Sequence, residues 1–168
     1  YGGPAPTIFS LTTGGRLTTL HTGAYISAAM VQGRDGNIYG TVANGDGSSY
    51  GYVFRITPAG AFSVVHSFAY SDGAYPYSLI LGHDGNLYGV TTLGGPGSSP
   101  SGPNTGYGTL FQIASNGAFS TVASLGATAD FLTLMVQAPD GSFYGTTGFA
   151  DFGPGSSLTQ SIVRVTLH

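Results

Sequence analysis

The chain contains no Cys, no Lys, no Glu and no Trp, and only 7% of its 168 residues are charged. Without cysteine, neither disulfides nor thiolate metal sites hold the fold, and the redox compartment is not written in the sequence. Without lysine the only cations outside histidine are Arg16, Arg34, Arg55 and Arg164, against seven Asp, for a net charge of −3. That balance excludes the clustered basic surface that neutralises phosphates, so nucleic acid is not an expected partner. Four scattered arginines also offer trypsin-like proteases few cleavage sites, which suits an extracellular protein. No apolar run reaches the roughly 18 residues of a membrane-spanning helix. The chain opens on Tyr1 rather than Met, and the expectation is that any signal peptide or anchor has been removed or lies outside this segment.

Glycine, small hydroxyl residues and aromatics take up the space left by the missing charges: 29 Gly, 11 Tyr and 10 Phe. This is the composition of short strands joined by tight turns, with none of the Ala, Glu, Lys and Leu bias of helical proteins. At 41% hydrophobic content, a chain of this length buries about 70% of its unfolded surface, so a folded all-β protein is expected.

An internal repeat dominates the sequence. Asp35-Gly36-Asn37-Ile38-Tyr39-Gly40 recurs as Asp84-Gly85-Asn86-Leu87-Tyr88-Gly89 and as Asp140-Gly141-Ser142-Phe143-Tyr144-Gly145. Each copy follows an apolar segment (28–32, 78–81, 132–137) and places Asp-Gly where a hairpin turn needs positive φ. Thr7 to Leu11, Tyr52 to Ile56 and Thr109 to Ile113 supply a first strand in each repeat. A Gly-containing turn leads from each to a second strand, ending near His21, Phe68 and Leu125. Three four-stranded antiparallel meanders of propeller-blade type are therefore predicted, over residues 1–49, 50–106 and 107–160 of one repeat domain. Ser161 to Leu167 aligns Val163 with Phe9, Phe54 and Phe111 and reads as an extra C-terminal strand with no blade of its own. A β-prism or trefoil-like arrangement is the alternative.

Val65-His66-Ser67-Phe68, Asp72-Gly73, Pro76, Gly85-Asn86-Leu87-Tyr88-Gly89-Val90-Thr91-Thr92, Gly94-Gly95 and Tyr107 to Ile113 resemble the Gloeo/Verruco (GloVer) tandem repeat of bacterial surface proteins that carry various C-terminal anchors. More loosely, the resemblance extends over nearly the whole chain. It departs from the pattern in the third repeat, where Gly126 to Phe131 replaces the Asp-Gly and Pro loop, and after Tyr39 and Tyr144, where the Gly-Gly pair is missing. The resemblance implies an exported, surface-associated repeat protein.

Three blades do not close a ring, because propellers typically use about four to eight. The chain is a fragment of a longer propeller, or two copies assemble a six-bladed ring, or the sheets form a prism, or the extra strand pairs with a neighbouring subunit into a filament. The filament reading follows from edges without Lys or inward charge, the usual guards against edge pairing. It makes Ile162, Val163, Arg164, Val165 and Leu167 the candidate interface strand, inserted head to tail in a heterologous contact.

The chemistry-bearing residues point mostly to structure. Gly47-Ser48-Ser49-Tyr50-Gly51 matches the serine-hydrolase elbow only formally, since a loop there leads into a strand rather than a helix. His21 and His66 recur at one repeat position and read as structural hydrogen-bond donors; His83 and His168 take no role. Asn44 to Ser48 resembles the start of a calcium loop but lacks the later carboxylates. No cofactor, metal or catalytic residue is expected. Asp35, Gly36, Asp84, Gly85, Asp140 and Gly141 are assigned to turns, and Tyr39, Tyr88 and Tyr144 to packing. The remaining aromatic and Asp residues, Tyr50, Tyr70, Asp72, Tyr75, Tyr77, Asp130, Phe131, Asp151 and Phe152, with Asp46 and Phe149, fall in loops on one face. Ring faces stack on sugar C–H surfaces and carboxylates accept hydroxyl hydrogen bonds, so these loops are the candidate site for surface glycans. Two readings follow: a structural surface-assembly protein whose main partner is itself, and a carbohydrate-binding propeller module.

Overall fold

The structure is a computed structural model and describes residues 7–23, 26, 30–43, 50–99, 106–125, 132–148 and 160–165. Within them the chain is all-β: β1 (Thr7–Leu11), β2 (Leu17–Thr22), β3 (Val31–Gln32), β4 (Ile38–Val42), β5 (Tyr52–Ile56), β6 (Phe62–Ser67), β7 (Ala74–Leu81), β8 (Leu87–Leu93), β9 (Thr109–Ile113), β10 (Phe119–Ser124), β11 (Leu132–Gln137), β12 (Phe143–Gly148) and β13 (Gln160–Val165). The predicted Asp-Gly hairpins join β3 to β4, β7 to β8 and β11 to β12. In each the glycine takes the left-handed backbone, with φ 79, 87 and 85 at Gly36, Gly85 and Gly141. A Cβ there would be strained, whereas the Asp before it keeps an ordinary φ.

The thirteen strands form four antiparallel sheets, β1-β2, β3-β4-β5-β6, β7-β8-β9-β10 and β11-β12-β13. Each complete sheet takes the Asp-Gly hairpin of one sequence repeat and the first hairpin of the next. Repeat and sheet therefore have the same length but are offset by two strands. The extra C-terminal strand is consequently not an orphan: β13 pairs with β12 from Phe143↔Val165 to Gly148↔Gln160, in the seat that β5 and β9 hold beside β4 and β8. Among the described residues the β11-β12-β13 sheet has three strands and the β1-β2 sheet two, against four in each of the others.

Strand alternation sends successive residues to opposite faces, and the four sheets stack with a core between each neighbouring pair. Ile8, Val42, Tyr52, Phe54 and Ile56 fill the first. The second holds Tyr39, Val53, Phe68, Leu79, Leu87, Phe111 and Ile113. Tyr88, Val90, Leu110, Leu125, Met135 and Phe143 fill the third. Gly40 opposes Phe54 and Gly89 opposes Phe111 across the central strand pairs, and each ring lies so close that a Cβ on the glycine would come within 2.4 and 2.2 Å of the ring tip. The repeated glycine is a seat for the repeated phenylalanine. A register shift recurs next to this ring, between Ile8 and Phe9, between Val53 and Phe54, and between Thr121 and Ala123 opposite Phe111, adding local twist at one level of the stack.

Candidate functional site

The turn carboxylates are bound into networks. Asp35 accepts hydrogen bonds from the Asn37 amide N–H (3.1 Å), Asn37 Nδ2 (2.7 Å) and the Tyr39 hydroxyl (2.8 Å). Asp84 repeats this with Asn86 (3.0 and 2.8 Å) and Tyr88 (2.8 Å). Tyr39 and Tyr88 are thus core residues whose hydroxyls clamp the turn four residues earlier. The third copy has Ser142 in place of Asn, and Asp140 instead accepts from the Ser142 amide N–H (2.9 Å) and from Arg164 of β13 (3.0 Å). Arg164 also lies 5.8 Å from the centre of the Tyr144 ring.

Partial burial alone would raise the Asp35 and Asp84 carboxyls, but the tyrosine hydroxyl and the Asn donors outweigh it and hold both below the ordinary carboxylate value. Asp140 is also held low, chiefly by the Ser142 amide N–H, against slight desolvation and with help from the Ser142 side chain and Arg164. Conversely, burial first and the facing carboxylate second raise the Tyr39 and Tyr88 hydroxyls. A carboxyl depressed in the folded state contributes stability that is present above its unfolded pKa of about 4 and is lost as pH falls through the folded value. Stability is therefore expected to be flat from neutral pH down to about 5 and to fall below about 4. In urea melts across this range, Asp84→Asn should flatten the acid limb; an unchanged limb would assign the loss to other groups.

The loop residues proposed for sugar binding are differently employed. Tyr70, at φ 47, is buried to 6% exposure, meets Tyr50 edge-on at 5.1 Å, and burial raises its hydroxyl pKa, helped by Tyr75 and Tyr50. Tyr75 has φ 56 and donates its amide to the Tyr50 carbonyl at 2.8 Å. Asp72 accepts from the Ala69 amide at 2.9 Å and meets His66 Nε2 at 3.0 Å. Tyr77 is the member open to solvent, at 40% exposure, but it and Tyr75 lie within β7 and not in a loop. Asp46, Asp130, Phe131, Phe149, Asp151 and Phe152 lie outside the described residues, as do Ser49, Leu167 and His168.

His66 stacks on Phe119 of the next sheet at 3.5 Å, and His21 stacks on Phe62 at 3.8 Å, so the repeated histidine is a brace between neighbouring sheets. Among the described residues no three His, Asp, Glu or Cys side chains gather as metal ligands.

Both ends of the stack carry uncovered apolar side chains. At one end Phe9 is 54% exposed and Leu11 and Leu17 are also open, although the equivalent Phe54 and Phe111 are fully buried. At the other, Val136 is 62% and Ile162 79% exposed, while Val163 and Val165 pack inward on the third core.

Stacked antiparallel sheets, two of them four-stranded, with an Asp-Gly motif returning at one hairpin of each repeat define a blade-type tandem-repeat protein. The chain belongs to the Gloeobacter/Verrucomicrobia repeat family, whose pattern matches residues 3–156. No curated protein matches it significantly. Among solved structures it is similar to the X-ray structure of a candidate gluconolactonase, with a TM-score of 0.52 and 13% identity over 82% of this chain. At that identity the likeness is one of fold. The chain spans 48% of that protein's length, about half.

Proposed function

We propose that this protein is an extracellular, non-enzymatic component of a bacterial surface assembly, whose copies join head to tail through strand edges at the two ends of the stack, with β13 as the joint. One observation carries the reading: β1 and β13 each have a single hydrogen-bonded partner strand among the described residues, and large apolar side chains lie exposed beside both. An open strand edge with an apolar flank and no lysine invites pairing. Membership of the repeat family supports the surface location. Electron microscopy of native material beside light scattering in solution tests the proposal: rings or fibres are expected, and particles of single-chain mass at all concentrations would overturn it.

The exposed Tyr77 side chain on β7 favours a second reading, binding of surface glycans. A glycan array probed with every oligomeric form should then show signal that Tyr77→Ala abolishes. An array blank for all forms removes this reading.

A further inference from the structure

We infer that Asn116, in the turn between β9 and β10, is a site of spontaneous deamidation, and that the isoaspartate formed there loosens the contact between two neighbouring sheets. The inference stands apart from the assembly and glycan readings.

Six tight hairpins among the described residues close in the same way. Gly15, Gly36, Gly60, Gly85, Gly117 and Gly141 take φ of 79 to 88, and each donates its amide to the carbonyl three residues earlier. The residue before the glycine is Gly14, Asp35, Ala59, Asp84, Asn116 or Asp140, so the turn itself demands no amide or carboxyl there. Where that residue is Asn, a backbone nitrogen lies next to a side-chain carbonyl, and glycine has no side chain to hinder its approach. Gly117 N attacks Asn116 Cγ. The N–Cγ bond forms, the Cγ–Nδ2 bond breaks, and ammonia leaves with the Gly117 amide proton, which gives a cyclic imide. Water then opens the ring. Addition at Cγ yields aspartate, and addition at the main-chain carbonyl carbon yields isoaspartate, whose backbone runs through Cγ. Either product adds one negative charge to the chain's −3.

The structure favours this asparagine over its relatives. Asn116 and Gly117 are exposed, and nothing lies within 4 Å of the Gly117 Cβ position, which leaves room for the ring. Asn116 Oδ1 accepts from the Ala118 amide at 3.0 Å, which polarises the carbonyl under attack, while Nδ2 makes no hydrogen bond among the described residues. Asn37 and Asn86 instead precede Ile38 and Leu87 and donate Nδ2 to Asp35 and Asp84. Asp35, Asp84 and Asp140 do precede glycine, but a carboxylate has no leaving group and cyclises only as the neutral acid, and the hydrogen bonds to these three keep them ionised. The two products differ in effect. Aspartate preserves the turn, since Asp35, Asp84 and Asp140 already accept from the amide two residues on. Isoaspartate lengthens the main chain inside the loop closed by Ala114 N to Ala118 O at 2.8 Å. That displaces Ser115, whose amide bonds Asn86 Oδ1 at 3.1 Å, and the start of β10, where Phe119 stacks on His66 of the neighbouring sheet.

Folded protein kept in mildly alkaline buffer, beside a sample unfolded in urea, tests the inference by peptide mapping with mass spectrometry and an isoaspartate methyltransferase assay. Asn116 should convert to aspartate and isoaspartate in the folded chain at about a tenth of the unfolded rate, because the Gly117 to Ala114 hydrogen bond must open first. Asp35, Asp84 and Asp140 should stay unisomerised. Asn44, also followed by Gly, lies outside the described residues and is read from its own peptide. Asn116→Gln, whose longer side chain closes a less favourable ring, should remain unconverted. Of the acidic species separated by ion exchange, the isoaspartate form should melt below fresh protein, whereas Asn116→Asp should melt with it. An Asn116 that stays intact in the folded chain while converting in urea overturns the site. An Asp that isomerises faster than Asn116 converts overturns its assignment. An isoaspartate form that melts with Asn116→Asp overturns the loosening.

Discussion

Replacing Phe111 by Ala is expected to destabilise the fold by about 3–5 kcal/mol, the range for deleting a fully buried aromatic side chain. Its ring lies over Gly89, in the second core, 5.2 Å from the ring centre of Phe68 and 5.8 Å from that of Phe119. Against a typical domain stability of about 5–15 kcal/mol, this is a large fraction. Phe9→Ala removes the same side chain from the same repeat position, but at 54% exposure it should cost the monomer less than about 1 kcal/mol. Urea unfolding of both variants at low protein concentration, with unchanged slope, reads the difference. Equal losses would mean that Phe9 is covered in solution.

The second large effect is expected at Gly108, which has φ 88 and where an added Cβ would sit 1.9 Å from the Thr91 carbonyl oxygen. The strain has two sources: a left-handed backbone that costs an L residue about 1–2 kcal/mol, and a clash with main chain that no rotamer change relieves. The Gly108 segment is also fixed by hydrogen bonds, its amide donating to Gly94 O at 3.2 Å and its carbonyl accepting from Leu125 N at 2.9 Å. Gly108→Ala should therefore lose about 3 kcal/mol or more. Gly117→Ala is the control: at φ 87 with nothing within 4 Å of the Cβ position, only the backbone penalty remains. Thermal melts giving the two variants similar midpoints would show that the loop before β9 can shift to admit a methyl group.

Local chemistry is what the sequence makes legible. The Asp-Gly pairs fixed three hairpins, because only glycine takes the φ they need without cost, and the thirteen strands follow from alternation between such turns. The repeated His was read as a structural hydrogen-bond donor, whereas neighbouring sheets are joined there by ring stacking, His21 on Phe62 and His66 on Phe119, and His66 bonds Asp72 of the loop after its own strand. Less was visible where a side chain has two uses. Tyr39 and Tyr88 read as packing residues, and their clamp on Asp35 and Asp84 was signalled only by the Asp-x-x-x-Tyr spacing. Tyr70 and Asp72 have the composition of a sugar site, yet one is buried and the other is held by His66 and the Ala69 amide. Composition reports which groups are present and is silent on whether a neighbour has already taken them.

By itself, then, the sequence determined the period: which residues turn, which alternate inward, and that one unit recurs three times. Only the tertiary structure decided the phase, that is, which two hairpins share a sheet. Hairpin formation is local and pays its closure entropy over a few residues, whereas pairing β4 with β5 and β8 with β9 crosses from one repeat to the next. A periodic sequence looks the same from any starting point, so the offset of two strands is settled by which edges and faces find each other in space.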